Sequence, residues 1–285
     1  MKDSLEAFSS LGVGCGLLAA LSWGSSDFSG GVASKRISSF QALILGSLTA
    51  VAVLTLCAWF YRESFPQVED TLWALAAGSL GALGIAALYH GLAVGSAAVV
   101  APSSAVVGAL FPVVVGTFLE GPPGGRTYAG FVLGGLGIWL VARSAANGRG
   151  LGLKGLGAGL TAGLGFGSYF VCIAQAASSG IFAPLVVAKA ASFVVALGMV
   201  ALLRQGVPSP AQSPAALLAG VLDAGGNVFY MLAQQNARMD VAAVLTSMYP
   251  AATVVLAAVI LKERVAGFQW LGVVLCLGAV SLIAS

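Results

Sequence analysis

Apolar runs of about 20 residues, the length of a membrane-spanning helix, follow one another along this chain. The connections between them are too short to fold by themselves. That succession constrains the fold more than any motif does. Charged residues are 8% of the chain and hydrophobic residues 59%, where a soluble domain has about 25% charged. The chain therefore lacks the charge to cover a water-facing surface. In a bilayer the backbone must satisfy its own hydrogen bonds, so runs of this length are helices. The expected spans are residues 11–31, 40–61, 72–92, 97–119, 127–145, 156–176, 181–203, 214–235, 241–261 and 267–284. Lys2 precedes the first run, but the early charge is mixed (Asp3, Glu6) and no short polar region follows. We read it as a retained helix rather than a signal peptide.

The formal net charge of +3 is too small for a nucleic-acid partner, and in a membrane protein the placement of charge matters more than its sum. Cys15, Cys57, Cys172 and Cys276 fall inside apolar runs without metal-ligand spacing, and read as small buried hydrophobes. No metal and no cofactor is expected.

The chain is duplicated. Val99 to Ala142 and Val241 to Ala284 lie 142 residues apart and agree at 11 positions, with Tyr128 and Trp270 also in register. The cation-rich segment from Arg143 to Lys154 separates the copies, so the expected halves are 1–147 and 148–285, of five helices each. An odd helix count inserts the second half upside down. The fold class is then an all-α membrane protein: ten transmembrane helices as two inverted five-helix repeats around a central cavity, with substrate near the midplane. Lys2, Arg62, Arg126 and Arg238 fall on one side. Lys35, Arg36, Arg143, Arg149, Lys154, Arg204, Lys262 and Arg264 fall on the other. The positive-inside bias makes the second side cytoplasmic, and the location a multi-pass cell (plasma or inner) membrane.

Five strings carry a family resemblance: LSWGSSDFSGGVASKR (Leu21 to Arg36), ALYHGLAVGSAAVVAP (Ala87 to Pro102), FPVVVGTFLEG (Phe111 to Gly121), VLDAGGNVFYMLAQ (Val221 to Gln234) and the stretch from Val241 through LKER at Leu261 to Arg264. With the duplicated layout they resemble the EamA-type branch of the drug/metabolite transporter superfamily. Lys262 replaces the glycine of the family's Gly-Glu-Arg, and the first half has Glu120-Gly121-Pro122 in that place. The resemblance implies two bundled repeats around a cavity that moves small organic metabolites, often outward.

An ionisable side chain in mid-helix costs about 2.5–3.5 kcal/mol on insertion scales and faces the bundle interior. Lys189, about two turns inside the seventh run, is the clearest case. It either faces a cavity and attracts a substrate carboxylate, or it snorkels or forms a static ion pair. On the eighth run Asp223, Asn227, Tyr230 and Gln234 share a face at helical spacing, as Trp23, Asp27 and Gly30 do on the first. The first set reads as a cavity wall or as interhelical glue. Asp27 reads as a partner for Lys189, a protonation site or a structural group. His90, the only histidine, follows Tyr89 and reads as a substrate contact or a pH sensor; the family resemblance, which includes a Tyr-His pair at this place, adds weight to cavity contact for the pair. Trp23 and Tyr230 offer flat faces to a substrate. Pro102, Pro112, Pro184 and Pro250 are expected kinks, and Gly81, Gly84, Gly159 and Gly163 close helix contacts.

The expected function is a secondary transporter, an exporter or exchanger, of small polar or amphipathic metabolites such as amino acids. It would work by alternating access around a cavity lined by the first, third, fourth, sixth, eighth and ninth helices. Its partners are a small-molecule substrate and the lipid bilayer, with protons permitted as coupling ion and the oligomeric state open. A non-catalytic membrane subunit or sensor is the alternative. Least favoured is an intramembrane serine hydrolase pairing His90 with Ser103 or Ser104, since a duplicated architecture serves no purpose there. No nucleotide-binding loop occurs, so the chain is not expected to hydrolyse ATP, nor to be an enzyme.

Overall fold

The computed structural model describes residues 2–33, 36–94, 97–142, 156–176, 180–260 and 267–284. Their regular structure is entirely helical: α1 (Lys2–Ala33), α2 (Ser39–Phe60), α3 (Val68–Val94), α4 (Ala97–Glu120), α5 (Gly125–Ala142), α6 (Leu156–Gln175), α7 (Phe182–Leu202), α8 (Pro214–Asn236), α9 (Met239–Thr246), α10 (Tyr249–Ile260) and α11 (Gly267–Ala284), with a 3-10 turn at Pro210–Gln212. Among the described residues, five stretches are long and apolar enough to cross a bilayer: Ser39–Phe60, Val68–Leu88, Gly157–Gln175, Phe182–Leu202 and Pro214–Asn236. Large apolar side chains such as Trp59, Phe60, Phe118 and Val194 point outward, as a lipid-facing surface requires.

The expected ninth helix is broken. It is two pieces, α9 and α10, separated at Ser247 and Met248. Pro250 has no N–H for the Thr246 carbonyl and its ring crowds the preceding turn, which weakens the helix at this point, and here the chain breaks just before it. At the second position of α10 the same ring is tolerated. Pro184 likewise sits in the first turn of α7 and does not kink it, while α4 runs on through Pro102 and Pro112.

The duplication is visible in the way α2 and α7 end. Tyr61 N–H donates to Cys57 O, Arg62 N–H to Trp59 O and Glu63 N–H to Ala58 O. Exactly 142 residues on, Leu203 donates to Met199, Arg204 to Ala201 and Gln205 to Val200. Both ends are Schellman caps, and each puts an arginine into the left-handed region, Arg62 at φ 54° and Arg204 at φ 53°. A non-glycine residue there is uncommon, so its recurrence at the same repeat position marks a shared backbone plan.

Each cap then delivers the next side chain to the other helix's start. The Glu63 carboxylate accepts from Ile181 N at 3.0 Å, Phe182 N at 2.9 Å and Ala183 N at 2.8 Å. These are orphan donors of the first turn of α7, where helix polarity also favours an anion. At the opposite end Gln205 Oε1 accepts from Ser38 Oγ at 2.6 Å, and Gln41 Nε2 donates to Gly206 O at 2.7 Å. Ser38 itself caps α2 in a capping box with Gln41. Helices α2 and α7 therefore lie antiparallel, tied head to tail twice. Gly180, at φ +129°, lies against Glu63, and a Cβ there would come within 2.8 Å of its carboxylate. Glu63→Ala removes three charge-assisted bonds and is expected to destabilise the protein by about 1–2 kcal/mol. Thermal unfolding in detergent measures this, and an unchanged midpoint would mean that water replaces the carboxylate at no cost.

The interior repeats the same relation. Gly78 of α3 packs on the backbone of Ala188 of α7, and Gly220 of α8 on that of Gly46 of α2, positions again 142 apart. Gly84 meets Gly165 between α3 and α6, as Gly226 meets Trp23 between α8 and α1. No Cβ fits at Gly78 or Gly220, so glycine is what lets these crossings close. Gly81, Gly84 and Gly163 do sit at tight contacts, against Tyr169, Phe166 and Val107. Ser22 Oγ donates to Leu222 O and Ser26 Oγ to Ala219 O, both at 2.8 Å, pinning α1 to α8. Cys15, Cys172 and Cys276 are buried free thiols.

Candidate functional site

A cavity of about 720 Å³ lies inside the bundle, within the range that holds one small organic molecule. Its walls come from α1, α2, α3, α4, α6, α7 and α8, and from the Ser247–Tyr249 break. Helices α2 and α7 are additions to the expected set. The lining residues occupy the C-terminal half of α1 (Trp23 to Gly30), the N-terminal part of α2 (Ser39 to Ser47), the C-terminal half of α3 and the N-terminal half of α8. All of these face the end where α1 hands over to α2. The opposite half is filled by apolar side chains, among them Leu54, Ile173, Leu185 and Met231. Among the described residues the cavity is thus a vestibule toward that end, filled in at the other.

Lys189 and Asp223 meet in its wall, Nζ to Oδ2 at 2.8 Å, with their side chains 13% and 27% exposed. Of the readings of Asp27, the one as partner for Lys189 is not what the structure shows: the carboxylate comes from α8. Lys189 Nζ also sits 5.7 Å from the centre of the Tyr169 ring, close enough for a cation–π contact. Tyr169 Oη donates to Asn227 Oδ1. Asn227 Nδ2 in turn donates to Asp223 O at 2.6 Å and to Asp223 Oδ1 at 3.1 Å. Lysine, aspartate, asparagine and tyrosine form one closed network in which each member fixes the next.

Asp27 projects into the same cavity from α1 and is exposed there. It makes no ion pair or hydrogen bond with the described residues. It shares the cavity's field with Asp223 and with Tyr249. Trp23 lies beside it, its ring 6.4 Å from Tyr169, 5.6 Å from Phe170 and 6.0 Å from Tyr230.

Two members of the expected α8 stripe do not reach the cavity. Tyr230 is fully buried. Its hydroxyl donates to Phe170 O at 3.1 Å and accepts from Gln234 Nε2 at 2.7 Å, and Gln234 reaches on to Met239 O. The stripe is real, but the vestibule ends at Asn227, and below it the same face is interhelical packing. Tyr89 and His90 lie on α3, and their side chains fall outside the described residues, as does all of Lys262 to Arg264.

The walls also hold residues that sequence reasoning passed over: Phe166, Tyr169 and Phe170 of α6, Ser47 of α2, and Ser247, whose buried Oγ has no hydrogen-bond partner among the described residues. The repeat would have found several. Adding 142 to Asp27 arrives at Tyr169, and subtracting it from Lys189, Asp223 and Asn227 arrives at Ser47, Gly81 and Ile85; all of them line the cavity.

The EamA-like transporter family matches the chain twice, over residues 10–143 and 153–285. No curated protein matches it. One solved crystal structure superposes with a TM-score of 0.76 over 96% of each chain at 18% sequence identity, a likeness of fold alone.

Proposed function

The chain belongs to the EamA-like transporter family, and from that premise we propose that it is a secondary transporter of small polar or amphipathic metabolites, an exporter or exchanger. Residues 1–147 and 148–285 are its two halves, inverted relative to each other, with ten spans in all and the α9–α10 pair counted as one. The antiparallel α2–α7 pair and the crossings that recur 142 residues apart support that reading.

The observation that carries the function is the vestibule: a cavity that, among the described residues, lies toward one end and is filled in at the other, with a polar network at its inner part. Substrate enters beside α1 and α2 and meets Trp23, Asp27, Lys189, Asp223 and Asn227. The filled end must then open while the vestibule collapses. On the positive-inside count the end toward which the vestibule lies is cytoplasmic, the side from which an exporter loads. A proton carried by an acid of the cavity would couple the cycle; exchange would need none.

The test is counterflow in proteoliposomes with a mixed metabolite pool read by mass spectrometry. Accelerated exchange of a compound class is the expected result. Silence across amino acids, nucleosides, sugars, amines and organic acids would sink the transporter reading and favour a sensor or subunit.

A further inference from the structure

The charges around the vestibule do not balance. Of the described residues that line it, the charged ones are Asp27, Lys189 and Asp223. Lys189 is committed: it holds Asp223 at 2.8 Å and lies over Tyr169. Asp223 is committed too, to Lys189 and Asn227. Asp27 stands on the facing helix, exposed into the cavity, with no counter-ion among the described residues. The duplication sharpens the contrast. In the second half the cation at 189 has its acid at 223, whereas the equivalent positions of the first half are Ser47 and Gly81, which carry no charge. Nothing at those two positions neutralises Asp27.

We propose that the vestibule binds an organic cation, an ammonium group on a flat or apolar body, with Asp27 as its counter-ion. This deepens the transporter reading and rests on the cavity being the substrate site. The cavity that Asp27 lines also holds what a cation with an apolar body uses: the Trp23, Phe166 and Tyr249 rings, whose faces attract positive charge, and the hydroxyls of Ser26 and Ser247. The Ser247 oxygen, buried and unpartnered among the described residues, is a ready acceptor for an ammonium N–H. Asp223, on the wall of the same cavity, adds a second acid to its lining.

The competing substrate classes fare worse. An anion would enter a site whose one cation among the described lining residues is already paired. It would have to displace Asp223 from Lys189 and leave two carboxylates facing it. A zwitterion could place its ammonium at Asp27, but its carboxylate would need the same displacement, which strands a partly buried charge. A cation leaves the network intact.

A matched series on one phenyl scaffold decides the matter: 2-phenylethylamine and the permanent cation benzyltrimethylammonium, phenylalanine as zwitterion, and 3-phenylpropionate as anion. Binding is read by calorimetry on the purified chain in detergent, and exchange by counterflow. Both cations are expected to bind. Asp27→Asn should weaken them at least about tenfold, as loss of one charge-assisted contact implies, and Asp27→Glu should retain them. Cation binding without exchange would uphold this inference and remove the transporter reading. Exchange of phenylalanine or 3-phenylpropionate by a protein that binds neither cation would do the reverse. Failure of both cations to bind, or equal binding by folded Asp27→Asn, overturns the inference.

Discussion

Arg238→Ala is expected to lower stability by about 3 kcal/mol. The Asp240 side chain is fully buried at the start of α9, and Arg238 grips it with two bonds, Nε to Oδ1 at 3.2 Å and Nη2 to Oδ2 at 3.0 Å. The same guanidinium donates to Glu120 O at 3.2 Å and Gly121 O at 2.6 Å. Glu120 Oε1 accepts from Met239 N at 3.1 Å. Hydrogen bonding to Asp240 raises the Arg238 pKa above its ordinary value, so the cation is present at every working pH. Alanine would leave a buried carboxylate with only the Val241 N–H, at 2.8 Å. Unfolding in detergent against a graded denaturant measures the loss. Arg238→Ala with Asp240→Ala should recover most of it, because the stranded charge is then gone. A single variant within about 0.5 kcal/mol of the parent would show that water replaces the guanidinium.

This knot gives Glu120-Gly121-Pro122 a physical role. Glu120 joins α4 to the start of α9, much as Glu63 joins α2 to the start of α7, and both lie at the filled end. Gly121, at φ +82°, lets the chain turn so that its carbonyl meets Arg238.

Lys189→Ala is expected to cost up to about 3 kcal/mol, since Asp223 would face the cavity beside Asp27 with no cation. It is also expected to reduce transport at least about tenfold, because Asp223, Asn227 and Tyr169 lose the group that holds the cavity wall in place. Lys189→Met with Asp223→Leu separates the two effects. It removes both charges together, so stability should return to within about 1 kcal/mol of the parent while transport stays low. Counterflow and detergent unfolding on the same preparations read both. Full activity in the double variant would show that the pair only holds α7 to α8 and takes no part in transport.

Helical spacing made part of the site legible. It placed Asp223 and Asn227 on one face of α8 and marked Lys189 and Asp27 as buried charges with a reason to face inward. It failed at Tyr230 and Gln234, which belong to the same stripe. Periodicity fixes the direction in which a side chain leaves its helix but not the depth at which the cavity ends. Tyr169 was missed because a tyrosine in an apolar run carries no anomaly by itself; only its repeat relation to Asp27 marks it.

The sequence alone determined the medium, the helices and the duplication, because each is a local or periodic property: hydrophobic length, turn chemistry and a 142-residue recurrence are all present before any contact forms. The tertiary structure decided which acid holds Lys189, which carboxylate is left over among the described residues, toward which end of the bundle the cavity lies, and that the Pro250 segment breaks rather than bends. Those outcomes depend on distances between helices far apart in sequence. They are set by how closely glycines such as Gly78 and Gly220 let the backbones approach, and no one-dimensional pattern encodes a distance.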